Sequence, residues 1–403
     1  MKIPKKYAMV WIAMIGMIGA TLSMKNIAGL FFTPMSESFG VGRGAVSLTL
    51  TINNLTLAAG DYLAPRLYHD NNYKKLSCLC IGTVVGSTLL MGAVPGLMPF
   101  YLLSAVRGFA SGMLGIVIGT VMINNWFVRY NSIATGVALA GAGIASAFLS
   151  PFLSGVIETS GWRAGFRAEA FAALILYAPL LLFPITFAPE NQGLEPLGGR
   201  SGAGKTDIAS AVTEGSRSGL LLPALILMNA FSNAVSVFTN HMPGVADSFA
   251  LPAAVGAAML SASMITNAGG KVMMGALAEK FGVKRPAILY ISAIAAGFLL
   301  LNTVHTVPAA LCSGAVIGLS FSLTTVVPAL VTKDIFGQAR YRSVFPLVAL
   351  AGTAANASAA SLIGFSYDAF RSYRPAMLTL ITLLVCNILL LLALYRSKEA
   401  ASQ

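Results

Sequence analysis

Charged residues make up only 10% of the 403-residue sequence, and the acidic ones are the fewer, 14 Asp and Glu against 26 Lys and Arg. A soluble domain carries ~25% charged residues. The chain therefore has too little charge to cover an ordinary water-exposed surface, which excludes a soluble enzyme or binding module. Histidine (3) and cysteine (4) are also sparse. No combination of His, Cys, Asp and Glu has metal-ligand spacing, which argues against a metal centre. Cys78, Cys80, Cys312 and Cys386 fall in or beside apolar runs and read as small packing residues rather than disulfide partners. No Gly-x-x-x-x-Gly-Lys-Ser/Thr loop occurs; Gly202-Ala-Gly-Lys205-Thr206 lacks the first glycine at the required distance, so an ATP-driven pump is not expected. No nucleophile has a base that spacing places beside it, so the chain does not read as an enzyme, and no cofactor is implied.

Apolar length is what the sequence does have, with 56% of its residues hydrophobic. A spanning helix needs ~20 mostly apolar residues. Apolar runs between polar punctuation predict twelve transmembrane helices near 8–33, 44–64, 76–95, 97–124, 133–157, 165–188, 218–240, 252–279, 286–304, 307–332, 343–366 and 375–395. The basic start, Lys2, Lys5 and Lys6, resembles a signal peptide, but the apolar run after it continues to about Phe32 and carries Lys25, so it reads as the first span. The longest polar stretch, rich in Gly, Ser and Thr, reads as a flexible cytoplasmic linker over 189–217. It separates six-helix bundles at 1–188 and 218–403. The expected class is an all-α membrane protein.

A net charge of +12 would suggest nucleic acid in a soluble chain, but here the basic residues cluster in short segments between apolar runs and no nucleic-acid partner is expected. With the N-terminus inside, about 18 Lys and Arg fall on inner segments against about five (Arg43, Arg163, Arg167, Arg371, Arg374) on outer ones. Both termini are then cytoplasmic. Three basic residues, Lys25, Arg107 and Lys271, are left inside apolar helices.

Two six-helix halves suggest an internal repeat. In the second half, Gly275-Ala-Leu-Ala-Glu279-Lys280-Phe-Gly282-Val-Lys284-Arg285 resembles the Gly-x-x-x-Asp-Arg/Lys-x-Gly-Arg/Lys-Arg/Lys loop signature of the major facilitator superfamily. Gly275 would permit close helix approach, Glu279 would sit at a helix end, and Arg285 with its basic neighbours would face the anionic inner leaflet. The first-half counterpart, Gly60-Asp61 onward to Lys74-Lys75, is degenerate. Arg107-Gly-Phe-Ala-Ser-Gly112 resembles the superfamily's helix-4 Arg-x-x-x-Gly pattern; a gating or structural role for Arg107 and a substrate contact both stay open.

An ammonium group in hydrocarbon costs at least ~2.5–3.5 kcal/mol, so Lys25 and Lys271 are expected to face a polar cavity. Contributed by opposite halves, they would repel each other when the site is empty and be neutralised by an anion. Lys25 snorkelling to the outer surface, and Lys271 pairing with Glu279, are the plain alternatives.

Trp126-Phe-Val-Arg129-Tyr-Asn-Ser-Ile-Ala134-Thr-Gly136-Val-Ala138-Leu-Ala140-Gly141 and Gly161-Trp162-Arg163 resemble the monocarboxylate transporters and the related bacterial oxalate/formate antiporters. Gly136 and Gly141 also read as close-packing residues. The resemblance implies that Lys25 is the family's helix-1 lysine and that Lys271 replaces its helix-8 arginine, which holds the substrate carboxylate. Asn267 stands where mammalian members place an aspartate implicated in proton coupling. Asn267 cannot titrate; the alternatives to the family's usual proton route are anion exchange, or a proton carried by Asp61, Asp247 or a lysine. The resemblance also puts Phe321 and Thr325, on one face of helix 10, in contact with substrate. Asn53, Asn54 and Asn233 are costly in lipid, and at least one is expected along the aqueous path. His241 and His305 are placed at the outer interface.

The expected function is secondary active transport of a small organic anion, a monocarboxylate or a short dicarboxylate such as oxalate, as proton symporter or anion exchanger. The expected setting is a bacterial-type cytoplasmic membrane, with the protein acting as a monomer. The substrate-binding set is Lys25, Lys271, Asn267, Phe321, Thr325 and Asn54, with Arg107, Asp61, Gly275, Glu279 and Arg285 in gating or structural roles. A transporter-fold sensor that binds a small ligand without moving it is the alternative.

Overall fold

The computed structural model describes residues 4–128, 131–198 and 221–401. Most of the proposed linker lies outside the described residues, as do Lys2, Arg129, Arg200, Lys205, Arg217 and the 202–206 glycine run. Packing divides the chain into two units, Met1–Val41 with Leu48–Gly204, and Gly42–Ser47 with Lys205–Gln403.

The first unit holds α1 (Lys5–Asn26), a 3₁₀ turn (Ala28–Phe31), α2 (Phe32–Phe39), α3 (Arg43–Leu67), α4 (Tyr73–Met91), α5 (Leu97–Met113), α6 (Ile116–Trp126), α7 (Asn131–Ser160) and α8 (Trp162–Leu182). The opening residues of α3 belong to the second unit. The second unit continues with α9 (Leu221–Ser236), a 3₁₀ turn (Val237–His241), α10 (Met242–Ser248), α11 (Ala253–Phe281), α12 (Lys284–Thr303), α13 (Val307–Gly318), α14 (Ser320–Phe370) and α15 (Arg374–Ala401). Inside α14 the backbone turns at Gly337, whose φ of 75° suits a residue without Cβ, so that α14 contributes to two spans. Among the described residues, ten helices or helix pairs are long and apolar enough to cross a membrane. α3 and α11 supply the remaining two of twelve spans. They are less apolar because they carry Asn53, Asn54 and Asp61, and Thr266, Asn267 and Lys271.

With lipid as the outer solvent, the helices pack through small residues. A Cβ added to Gly16 on α1 would strike the Leu176 carbonyl of α8, and one on Gly141 of α7 would lie 2.8 Å from the Ile15 side chain. Gly136 and Gly275 do not fit this reading, because a Cβ at either meets nothing within 4 Å. Gly275 therefore does not mediate a close helix approach. On α11 that contact falls instead at Gly270, where a Cβ would lie 2.8 Å from Leu319.

Two further expectations change. The seventh span runs on through α10, so His241 is not interfacial: it is buried, and its Nε2 lies 3.0 Å from the Ala360 carbonyl. The first ten residues of the linker are structured. Pro189–Gln192 forms a 3₁₀ turn, Val128 donates to the Leu197 carbonyl at 3.1 Å, and Leu197 donates to that of Trp126 at 2.9 Å. Apolar Leu194 and Leu197 pack on the core of the first unit, which a run of Gly and Ser would not do.

Candidate functional site at the interrupted spans

Among the described residues, four spans are broken along their length: the first at Ile27–Phe31, the fourth at Leu114–Gly115, the seventh at Val237–His241 and the tenth at Leu319. Each break frees backbone polar groups at membrane depth, which is tolerated where protein or a water-filled cavity satisfies them. Interrupted helices at corresponding places in two repeats are also the best pointer to a transporter's binding region.

In the first unit the freed Leu114 carbonyl accepts a hydrogen bond from the Thr21 hydroxyl at 3.3 Å, and Thr21 meets the Tyr177 hydroxyl at 3.0 Å. At the start of α6 the Val117 N–H donates to the Asp61 carboxylate, an arrangement favoured by the positive end of a helix dipole. Lys25, in the last turn of α1, lies within electrostatic reach of Asp61. One oxygen of Asp61, Oδ1, is buried with no hydrogen-bond partner among the described residues. Glycine makes this possible. A Cβ on Gly112 would lie 2.8 Å from the Asp61 amide nitrogen, and one on Gly115 would run into the carboxylate.

Asn54 is buried on α3, and neighbouring Asn53 donates to the Ser104 carbonyl at 3.2 Å. Arg107 is buried on α5, and its Nη1 lies 3.4 Å from Oε2 of Glu169 on α8. Glu169 is absent from the residues singled out by sequence, although an acid inside an apolar run is the signal that would find it.

In the second unit a hydroxyl again holds the carbonyl freed by the break, here from α11, the counterpart of α3, and not from the counterpart of α1. The Thr266 hydroxyl of α11 donates at 2.6 Å to the Ala315 carbonyl, which the break at Leu319 frees. Gly314 and Gly318 of α13 back onto α11 at Met259 and Ser263, as Gly108 and Gly112 of α5 back onto α3 at Asn53 and Leu57. One turn beyond Leu57 stands Asp61, and one turn beyond Ser263 stands Asn267. The two residues hold equivalent places in the two repeats.

Asn267 is buried with its Nδ2 4.0 Å from the Met264 sulfur, and its Oδ1 has no hydrogen-bond partner among the described residues. Lys271 follows one turn later on the same face, half-buried, with no carboxylate at ion-pairing distance among the described residues. The alternative pairing with Glu279 is therefore absent. Glu279 and Arg285 are both exposed. Phe321 is half-buried two residues past the break in the tenth span. Thr325 is exposed, but its hydroxyl donates to the Phe321 carbonyl at 2.9 Å, so giving that proton to a ligand would require the hydroxyl to rotate.

A separate polar cluster gathers around Arg43, the first residue of α3. Its guanidinium pairs with Asp247, donates to the Gly244 carbonyl at 3.0 Å, and lies 4.2 Å from the Tyr367 ring centre. Asp368 accepts from the Arg43 and Gly44 amides at 2.8 and 2.7 Å. Burial pushes the Tyr373 phenol up to about 12, against the lowering effect of Arg43, so it stays protonated and accepts from Arg43 Nη1 at 3.3 Å. Asp247 is thus committed to an ion pair, which weakens its candidacy as a proton carrier.

Residues 13–240 match the family model of the Major Facilitator Superfamily. An MFS-type transporter, pynF, of Aspergillus niger is 24% identical over 77% of this chain and 69% of its own length. Among solved structures, a bacterial homolog of the human lysosomal transporter Spinster, inward-facing and unoccupied, superposes with a TM-score of 0.72 at 14% identity, covering 98% of each chain. The nucleoside transporter NupG, solved as a point mutant, gives 0.70 at 13% identity, covering 97% of this chain and 100% of its own. With more than half the sequence matched by the family model, the chain, whose spans are interrupted in the repeat pattern described, belongs to the Major Facilitator Superfamily and is a membrane transporter, not an enzyme.

Proposed function

We propose that the protein is a secondary active transporter of a small organic anion, a monocarboxylate or a short dicarboxylate such as oxalate. It works by alternating access, as a proton symporter or an anion exchanger. The observation that carries this reading is a lysine inside the apolar part of each repeat. Lys25 precedes the break in the first span, and Lys271 sits on the helix that braces the break in the tenth. Desolvated ammonium groups are costly, and an anionic cargo offsets that cost. Lysine binds a carboxylate as a point charge, without the planar fork of arginine. Asn267 and Phe321 shape the anion's surroundings, with Asn54 and Thr325 as further polar contacts.

The protein works as a monomer in a bacterial-type cytoplasmic membrane with both termini inside. Bundles 1–188 and 218–403, joined in sequence by a cytoplasmic linker at 189–217, carry out the alternating-access cycle. Counterflow of labelled L-lactate and oxalate into proteoliposomes tests the reading. Exchange of either anion in the wild type, reduced at least ~10-fold by Lys271→Ala, is expected from the loss of a charged hydrogen bond. Counterflow unaffected by Lys271→Ala removes the proposed site.

A further inference from the structure

We propose that Asp61 is the group that carries the coupling proton, and that its carboxylate competes with the substrate anion for Lys25. The proposal rests on the anion-transport reading above and adds its coupling ion and the group that binds it.

The repeat supplies the first argument. Asp61 and Asn267 occupy equivalent positions, each one turn beyond the point where a glycine of the broken neighbour backs onto the helix. The second unit has an amide there, which cannot exchange a proton; the first unit has a carboxyl group, which can.

Local geometry supplies the second. The carboxylate is held at the start of α6 by the Val117 N–H, while Oδ1 is buried without a hydrogen-bond partner among the described residues. A buried carboxylate oxygen left unsatisfied is costly, and taking up a proton removes the charge that makes it so. Among the described residues, the charged group that acts on it is Lys25 from α1. The break between α5 and α6 presents glycines and backbone N–H groups. Arg107 on α5 is engaged with Glu169 on α8, and the Tyr177 hydroxyl of α8 meets Thr21.

Coupling follows from charge balance. Ionised Asp61 compensates Lys25, so a second carboxylate gains little there. When Asp61 binds one proton from the aqueous side, Lys25 is left cationic and takes the substrate anion. Release of the anion on the other side restores the attraction to Lys25, and Asp61 gives up the same proton. One proton moves with each anionic charge neutralised at Lys25.

The test uses the full chain in proteoliposomes with labelled L-lactate and oxalate. A gradient of one pH unit should concentrate a monoanion about tenfold with the wild type, since each factor of ten in concentration corresponds to one unit. Asp61→Asn should exchange anion for anion at a rate independent of pH and lose this accumulation. Accumulation retained by Asp61→Asn overturns the proposal, as does wild-type counterflow that a pH gradient cannot drive uphill. Should Asp61→Asn not exchange at all, an acid-minus-alkaline infrared difference spectrum decides. A carboxylic-acid band present in the wild type and absent from Asp61→Asn supports the proposal, and a wild type without such a band sinks it. Failure of both anions in wild-type counterflow would remove the anion-transport reading, and the infrared comparison would still decide whether Asp61 takes a proton.

Discussion

Arg107 Nη1 and Glu169 Oε2 meet at 3.4 Å between α5 and α8, with the two side chains 9% and 2% exposed. Both charges are buried from solvent. The pair links the fourth span to the sixth about two helical turns before the break at Leu114, whose carbonyl is held by Thr21, itself in contact with Tyr177 of α8.

Removing one partner strands the other. Glu169→Ala or Arg107→Ala should each destabilise the detergent-solubilised protein by about 3–5 kcal/mol, the usual penalty for an uncompensated buried charge. Replacing both with apolar residues, Arg107→Met with Glu169→Leu, should recover most of the loss. Thermal unfolding followed by reactivity of the buried Cys80 thiol reads the cycle. Single variants as stable as the wild type would show that the ion pair contributes nothing.

Two glycines should respond in opposite ways. A Cβ at Gly112 would collide with the Leu57 carbonyl and lie 2.8 Å from the Asp61 nitrogen, and backbone on both sides leaves little room to yield. Gly112→Ala should therefore cost about 1–3 kcal/mol from overpacking. Gly275→Ala fills open space in mid-helix and should stabilise by about 0.5–1 kcal/mol through backbone entropy. Equal melting temperatures for the two variants would contradict the packing described.

The spans are legible in the sequence because hydrocarbon demands long apolar runs, and hydropathy reads those directly. That four of them are broken is not. The break at Ile27 runs on into apolar Leu30, Phe31 and Phe32, so hydropathy passes over it, whereas Thr239, Asn240 and His241 at the break in the seventh span read as the end of an apolar run. Those polar residues make hydropathy end the seventh span too early and set His241 at the surface rather than in the core. Lys25, Lys271 and Arg107 stand out because charge is conspicuous in lipid. The relation of Asp61 to Lys25 does not, because it depends on which face of α3 meets the start of α6, a matter of packing that spacing along one helix does not encode. Gly275 illustrates the converse, since it fits a loop signature while making no close contact.

Orientation can be tested at two exposed positions, Arg163 at the start of α8 and Glu279 near the end of α11. The excess of Lys and Arg on one set of loops puts Glu279 in the cytoplasm and Arg163 outside. With the four native cysteines replaced by serine, Arg163→Cys should react with a membrane-impermeant maleimide in intact cells. Glu279→Cys should react only after permeabilisation. The reverse pattern would invert the topology.

The last prediction concerns Asn267 and Lys271, one turn apart on α11. Lys271→Arg keeps the charge and adds a planar fork, so carboxylate exchange should persist, with an affinity change within about tenfold. Lys271→Ala loses a charged hydrogen bond of about 1.5–3 kcal/mol, or roughly 10–150-fold in affinity. Asn267→Asp is the more informative change. An ionised carboxylate there would lie at helical i, i+4 spacing from Lys271, pair with it and compete with the substrate anion. Affinity measured by counterflow should therefore fall as pH rises and recover as the new acid is protonated. The sign follows from linkage: the anion binds better to the form carrying the extra proton, so binding that anion favours proton uptake. If Asn267→Asp leaves both affinity and its pH profile unchanged, Lys271 does not hold the substrate, and the site must be sought around Lys25 alone.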